Sequence, residues 1–408
     1  MSSVPPVILL CILESTFYHP LVPDYKLLRV CTLVCRAWTG PAQFLLFKFS
    51  KIKLHNNNIH TFHAALLASA ALGRALVDRV RVLYLTISRS IESEDSEQLN
   101  RELGLPADTA SCKRSFLTLA KLLQACPQLT VLHLVIVSIV HLDQDVIEEL
   151  KAAGLGVRAL NLVNYGAPSY ILFYVLSVWP NIRFLNISGN FLMPSCPTAS
   201  PAPQEDADNT GDFKLAQRNG VQIEVSLYHL ILSSDINPEV LTWLLASSVD
   251  SLRILDRPTR YRPPQNILAR HAPRLRSLSL PFCDDDISLI RMCTALEKLV
   301  FYNFDLPPRY ALAPNLPPTI EHFTFAILDF NHGMTLKPII DAVDALPNLK
   351  VLACNEFVWQ QRPHEYMELA RMCKNRGVNM VDLPLLCAHF IVKLLLCTDE
   401  NRRNIHSW

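Results

Sequence analysis

"CPQLTVLHL", Cys126 to Leu134, decides how this chain folds, because the sequence writes it again three times. "WPNIRFLNI" starts at Trp179, "APRLRSLSL" at Ala272 and "LPNLKVLAC" at Leu346. Each copy has a proline, one further residue, and then apolar side chains at relative positions 1, 4 and 6. The bare apolar pattern adds "VRVLYL" at Val80, "VRALNL" at Val157, "LYHLIL" at Leu227 and "LRILDR" at Leu252. It continues with "LEKLVF" at Leu296, "IEHFTF" at Ile320 and a fainter "VNMVDL" at Val378. Successive starts are separated by 49, 28, 25, 45, 25, 23, 21, 24, 29 and 29 residues. The spacing of 45 reflects an inserted loop, and that of 49 an insertion or a hidden repeat.

A helical pattern runs ahead of nearly every copy, as in "RSFLTLAKLLQA", "DVIEELKAAG", "SYILFYVLSV" and "LKPIIDAVDAL". Apolar residues at i, i+3, i+4 and i+7 give each helix one buried face. The proline ends the helix, because it lacks an N–H and clashes with the preceding turn. Helix, proline and short strand at a period of 20 to 29 residues is the rhythm of leucine-rich repeats. The expected fold is therefore an α/β solenoid: a curved parallel sheet with outer helices, behind a small N-terminal helical unit. The usual asparagine or cysteine ladder survives only at Asn190 and Cys283, so the repeats are degenerate.

The expected organisation is a helical domain over 1–49, a helical linker or cap over 50–79 and a solenoid over 80–383. A terminal helix or tail over 384–408 follows. Residues 193–212, "MPSCPTASPAPQEDADNTGD", are rich in proline, small and acidic residues and read as a disordered loop. The polar stretch 88–104 reads as a solvated insertion.

Composition narrows the function classes. The chain has 38 basic and 37 acidic side chains, a balance that gives no general attraction for nucleic acid or an anionic membrane. Eleven glycines against 28 prolines leave little material for phosphate-cradling loops. The apolar run 383–397 holds His389 and Lys393 and is shorter than the ~20 residues of a membrane helix. Without basic residues ahead of its first apolar run, the chain reads as cytoplasmic and/or nuclear, with reduced, mostly buried cysteines.

Motif-like fragments resolve into structure. "GLGVRA" at Gly154 matches a dinucleotide fingerprint, but closes a helix and enters a strand, the reverse of the required order. It reads as a helix C-cap. "CDDDIS" at Cys283 reads as an N-cap, and "HTFH" at His60 lacks a third and fourth ligand at metal-site spacing. No cofactor, metal or catalytic constellation is expected, although a hydrolase or metal centre assembled only in space is not legible in a sequence.

The N-terminal unit has its own character. "VPPVILLCIL" opens with two prolines and an apolar helical face, and "LLRVCTLVCRAW", Leu27 to Trp38, supplies a second. Cys31 and Cys35 share a helix face, but no neighbouring cysteine pair completes a zinc set. "PP-x-I-L" followed by "LLR-x-x-x-LVCRAW" resembles the F-box, the helical motif that docks on the Skp adaptor of SCF ubiquitin ligases. The whole chain resembles the F-box-like proteins of mushroom-forming fungi. It departs from the motif at Val7, where the family often has glutamate, and in a lengthened loop between Ser15 and Lys26. The resemblance implies a three-helix F-box, a non-catalytic substrate-recognition role, and the Skp adaptor with its cullin and RING subunits as partners. By position it implies adaptor contact through Pro5, Pro6, Ile8, Leu9, Ile12, Leu28, Val34, Cys35, Arg36 and Trp38.

On the repeats, the side chains between the apolar positions face away from the core. Those suited to recognising a protein are His133, Asn161, Asn186, Ser188, His229 and Asp256. Ser279, Lys298, Tyr302, His322, Thr324 and Asn355 complete the set. An interaction scaffold working without any ligase uses the same surface.

Overall fold

The computed structural model describes residues 8–9, 11–13, 25–35, 37–39, 41–42, 45, 52–71, 77–88, 107–137, 144–154, 156–165, 171–189, 225–258, 265–281, 287–302, 312–327 and 335–383. The chain forms two compact units, Met1–Val225 and Ser226–Trp408. Asn190, Cys283, the acidic run after it, the 193–212 loop and the 384–408 tail lie outside the described residues.

The first unit opens with helical stretches at 8–13 and α1 (Tyr25–Val34), which share a small core of Leu13, Leu28, Cys31, Ala42 and Leu45. Its sheet then runs β1 (Ile52–His55), β2 (Val82–Ile87), β3 (Val131–Ile136), β4 (Ala159–Asn164) and β5 (Phe184–Gly189). All neighbours are parallel and follow chain order. Between them lie α2 (Asn56–Ala71), α3 (Ala107–Ala125), α4 (Gln144–Ala153) and α5 (Ile171–Val178). Strand β1 falls inside the stretch expected to be a helical linker, so the sheet starts at Ile52 rather than near residue 80. Strands β2 and β3 are hydrogen-bonded neighbours, which makes the 49-residue spacing an insertion and not a hidden repeat.

The second unit repeats the plan with seven parallel strands in chain order. They are β6 (His229–Leu232), β7 (Ile254–Asp256), β8 (Ser277–Leu280), β9 (Lys298–Phe301), β10 (His322–Phe325), β11 (Val351–Asn355) and β12 (Asn379–Leu383). The faint copy at Val378 is thus a full strand. Helices α6 (Pro238–Leu245), α7 (Gln265–Ala269), α8 (Ile287–Met292), α9 (Lys337–Ala345), α10 (Phe357–Gln361) and α11 (Pro363–Arg376) separate the strands. Asn237 caps α6, its Oδ1 accepting from the Glu239 N–H at 2.8 Å.

The recurrent proline has a sharper role than stopping helices. At Cys126–Leu129 the Leu129 N–H donates to Cys126 O at 3.0 Å, which puts Pro127 at the second position of a tight turn. Proline suits that position because its φ is already set. The same hydrogen bond closes Trp179–Ile182 around Pro180, Ala272–Leu275 around Pro273 and Leu346–Leu349 around Pro347. It closes Pro317–Ile320 around Pro318 as well, a fifth copy written in the sequence as "PPTIEHFTF". Each turn delivers a buried apolar residue into the core, and the next residues donate to the preceding repeat. Thr130 and Val131 both donate to Arg81 O, and Arg158 and Ala159 both to Thr130 O. The same turn-closing bond spans Gly154–Val157 and Cys293–Leu296 without proline, and at Ser248–Ser251 two hydroxyls add to the turn: Ser248 Oγ accepts from Leu227 N–H at 3.0 Å, and Ser251 Oγ donates to Leu227 O at 2.7 Å.

Strands β2, β3 and β4 alternate half-buried and buried side chains, the period-2 signature of a sheet with one face on the core. Leu83, Leu132, Leu160 and Leu185 lie in register, and each buried leucine contributes about 1.5–3 kcal/mol. Of the two glycines expected as a helix cap, Gly154 takes that place directly after α4, its N–H donating to Leu150 O at 3.0 Å. Neither has a positive φ, since those belong to Gly189 and Gly377. Gly154 is glycine because a Cβ would run into the Trp179 indole.

Gly189 closes β5 at φ +99°, with the Asn164 backbone where a side chain would go. Gly189→Ala is expected to lower stability by about 1–3 kcal/mol through strain alone, and by more once Asn164 shifts. A urea melt checks it; an unchanged midpoint would contradict this geometry.

Candidate functional site

The polar residues expected to face a partner separate into two environments. In the first unit, His133, Asn161 and Asn186 are laterally paired in one row across β3, β4 and β5. Tyr84 of β2 continues that row, and Lys53 of β1 stands in register beside it. The Tyr84 ring stacks on the His133 imidazole with centroids 3.8 Å apart and planes within 9°. Asn161 Nδ2 donates to His133 Nδ1 at 2.9 Å, which leaves the ring proton on Nε2. Asn161 Oδ1 is buried and accepts no hydrogen bond. Ser188 stands in the next row, beside Val163 and in line with Val135 and Thr86. Tyr84 was absent from the expected set, yet it occupies in "VRVLYL" the position that His133 has in "LTVLHL". Superposing the copies residue by residue identifies it.

The second unit differs. His229, Asp256, Ser279, Tyr302, Thr324 and Asn355 are buried, and the first three are only 3%, 4% and 0% exposed. These six therefore do not present a surface as expected. Asp256 Oδ2 lies 2.7 Å from His229 Nε2, and its other carboxylate oxygen accepts from the Ser279 hydroxyl. The three residues belong to neighbouring strands, so the carboxylate ties β6, β7 and β8 together. Burial, and after it the Asp256 charge, make the Tyr302 phenol harder to ionise, with the Ser279 hydroxyl opposing. Asn355 lends both amide atoms to the Ile327 backbone, at 3.1 and 2.8 Å. Lys298 is half-buried and His322 exposed at the strand starts, paired laterally.

A histidine, an aspartate and a serine in contact invite comparison with a hydrolytic triad, but the order is wrong. A serine nucleophile gives its proton to imidazole, and the carboxylate holds the far side of that ring. Here Ser279 and His229 both address Asp256, which makes the group a cross-strand strut. The cysteines are equally quiet. The seven described cysteines are free thiols, five of them buried. Burial pushes Cys126 up to about 11 and Cys293 and Cys354 up to about 12, so they stay protonated and unreactive at neutral pH. His60, on α2, spends Nδ1 on the Thr118 hydroxyl at 2.9 Å. Desolvation, with nearby Arg114 and Lys121, keeps its protonation below the usual histidine range. Among the described residues no three His, Cys, Asp or Glu side chains form a metal-holding group, and no helix is long and apolar enough to cross a membrane.

The N-terminal helices sort the expected adaptor residues. Leu9 and Leu28 are buried, so they cannot also meet a partner. Trp38 is partly buried against the Leu13–Leu28–Leu45 core. Ile8, Ile12, Val34 and Cys35 are exposed. Pro5, Pro6 and Arg36 lie outside the described residues. Val30 and Leu33, the latter at 85% exposure, also stand exposed on α1. Helix α1, "YKLLRVCTLV", is apolar on both sides, so periodicity alone does not say which side faces inward.

No family model matches this chain, and no curated protein matches it. Among solved structures it is similar to the leucine-rich repeat-containing protein LegL7 from Legionella pneumophila, at 13% identity and a TM-score of 0.34, covering 63% of this chain and 91% of that one. It is also similar to an internalin from Listeria monocytogenes, at 13% identity and a TM-score of 0.31, covering 72% of this chain and 91% of the other.

Proposed function

We propose that this chain is a substrate-recognition subunit of an SCF-type ubiquitin ligase, docking on a Skp adaptor through its N-terminal helices and holding a protein target on its repeats. The observation that supports this reading is the apolar surface of those helices. Val30, Leu33 and Val34 stand exposed on α1, and Ile8 and Ile12 on the stretch before it. Five large apolar side chains exposed in so short a segment support a surface that a partner covers. The "LLR-x-x-x-LVCRAW" resemblance names the adaptor. Purified chain is expected to bring the Skp adaptor down. Leu33→Asp combined with Val34→Asp should abolish capture and leave the melting temperature nearly unchanged, because both side chains lie outside the core. Wild-type chain that fails to capture the adaptor overturns the proposal.

A repeat scaffold acting without any ligase is the second reading. The polar row across β3, β4 and β5 supports it, since a protein bound there needs no adaptor.

A further inference from the structure

Among the described residues two histidines are buried, His229 and His271, both in the second unit, and their surroundings differ. The His229 ring meets a carboxylate, Asp256 Oδ2, at 2.7 Å, so a proton added to it has a counter-charge at hand. His271 is 2% exposed, and no carboxylate among the described residues pairs with its ring. The ring donates to the Ser248 backbone carbonyl, while Nδ1 is buried without a hydrogen-bond partner. The single proton of the neutral ring therefore sits on Nε2. Ser248 O is the acceptor that closes the preceding turn, taking the Ser251 and Leu252 N–H groups at 3.2 and 3.0 Å. The His271 carbonyl accepts from Arg274 N–H at 3.0 Å and so starts the Pro273 turn. Arg274 adds to the junction, with Nη1 2.6 Å from Asp250 Oδ1 and 3.3 Å from Val249 O. One imidazole thus sits between the turns that lead into β7 and β8. The charged groups on the segments that pack here are Arg270, the Arg274–Asp250 pair across the two turns, and Arg291 on α8. Arg291 gives its Nε to Asn315 Oδ1 at 2.7 Å, and helix α7 carries no charge.

We propose that His271 is a pH-sensitive latch between the β7 and β8 repeats, closed while its imidazole is neutral and opened when the ring takes a second proton. That proton has to go to Nδ1, where no acceptor waits, and its charge is buried near another cation, Arg270. A buried charge without a partner is among the costliest arrangements a fold can hold. Turning the ring out to water relieves it, which frees Ser248 O and separates the two turns. Burial above all holds protonation of the ring below the usual imidazole range; the Ser248 carbonyl opposes it and Arg270 adds to it. The ring of the opened chain protonates near the ordinary value of about 6.5. Because the open form binds the proton more readily, the latch is fully closed above that pH and weakens as pH falls below it. The Ser248 turn also holds Leu227 at the start of β6, and the Asp256 strut joins β6 to β8. Acid therefore loosens the second unit at its first repeats, whatever partner the N-terminal helices take.

Amide hydrogen exchange on the full chain, at about pH 7.5 and about pH 5.5 and corrected for intrinsic rates, tests the latch. One proton taken up on opening should raise the opening constant of wild type severalfold, and at most about ten-fold, over that interval. The change should appear in the amides of 251–254 and 274–277. His271→Gln can still donate to Ser248 O and does not titrate, so its exchange there should be the same at both pH values. His271→Phe loses the bond as well, so it should open more than wild type at the higher pH and again show no pH response. His60→Gln, in the first unit, should leave the wild-type response intact. Wild type whose protection at 251–254 and 274–277 is unchanged by acid, or a His271→Gln chain that responds as wild type does, would overturn the proposal.

Discussion

Asp256→Ala should unfold the second unit more readily than any other single polar substitution on its sheet, by about 3–5 kcal/mol. The change removes one buried carboxylate and strands two buried donors, His229 Nε2 and the Ser279 hydroxyl. Each donor left unsatisfied costs about 1–3 kcal/mol, far more than the net worth of a hydrogen bond in water. Asp256→Asn keeps one oxygen and should cost less than alanine. The double variant Asp256→Ala with His229→Leu should recover part of the loss, because it removes one stranded donor along with the acceptor. Urea midpoints for the three variants measure it; an alanine variant as stable as wild type would mean that the strut bears no load.

The second large effect is expected at Trp179. Its indole is only 1% exposed and lies over Gly154, where the chain leaves α4. Trp179→Ala should cost about 3–5 kcal/mol through lost apolar burial and the cavity left behind. Trp179→Phe should cost much less, because the Nε1–H of the tryptophan is buried without an acceptor and phenylalanine removes that penalty. Gly154→Val should resemble Trp179→Ala, since the new side chain and the ring compete for one space. Thermal melts of the three separate this account from a local helix-capping role for Gly154, in which Trp179→Phe and Trp179→Ala would behave alike.

Periodicity made the repeats legible because a parallel sheet with one face on a core demands apolar residues at fixed offsets. The 1-4-6 copies land on β2 to β12 for that reason, and even the faint "VNMVDL" becomes a strand. Strand β1 was missed although "FSKIKL", Phe49 to Leu54, carries apolar residues at the same 1-4-6 offsets. The candidate residues were legible by position but not by environment. Alternation says that His229 and Asp256 leave the core face, and it is silent on whether anything then buries them. In the first unit the same rule leads to a half-buried face, and there the row His133, Asn161 and Asn186 assembles as the offsets require. Helix α1 shows the opposite difficulty, being apolar on two sides, so that only packing chooses Leu28 and Cys31 for the interior and leaves Leu33 outside.

The Ser248–Ser251 turn has a consequence for how the array opens. A proline turn holds its shape by itself, whatever its neighbour does, because its φ is restricted even in the unfolded chain. The serine version closes with its own backbone bonds to Ser248 O and is further tied to Leu227, whose N–H and carbonyl both meet hydroxyls from the following repeat. Fraying at β6 therefore releases the turn before β7 in the same step, whereas the junctions at Pro273, Pro318 and Pro347 can stay closed beside an open neighbour. In hydrogen exchange the amides of 227–232 and 248–256 should report one shared opening free energy, a cooperative block within an otherwise graded series.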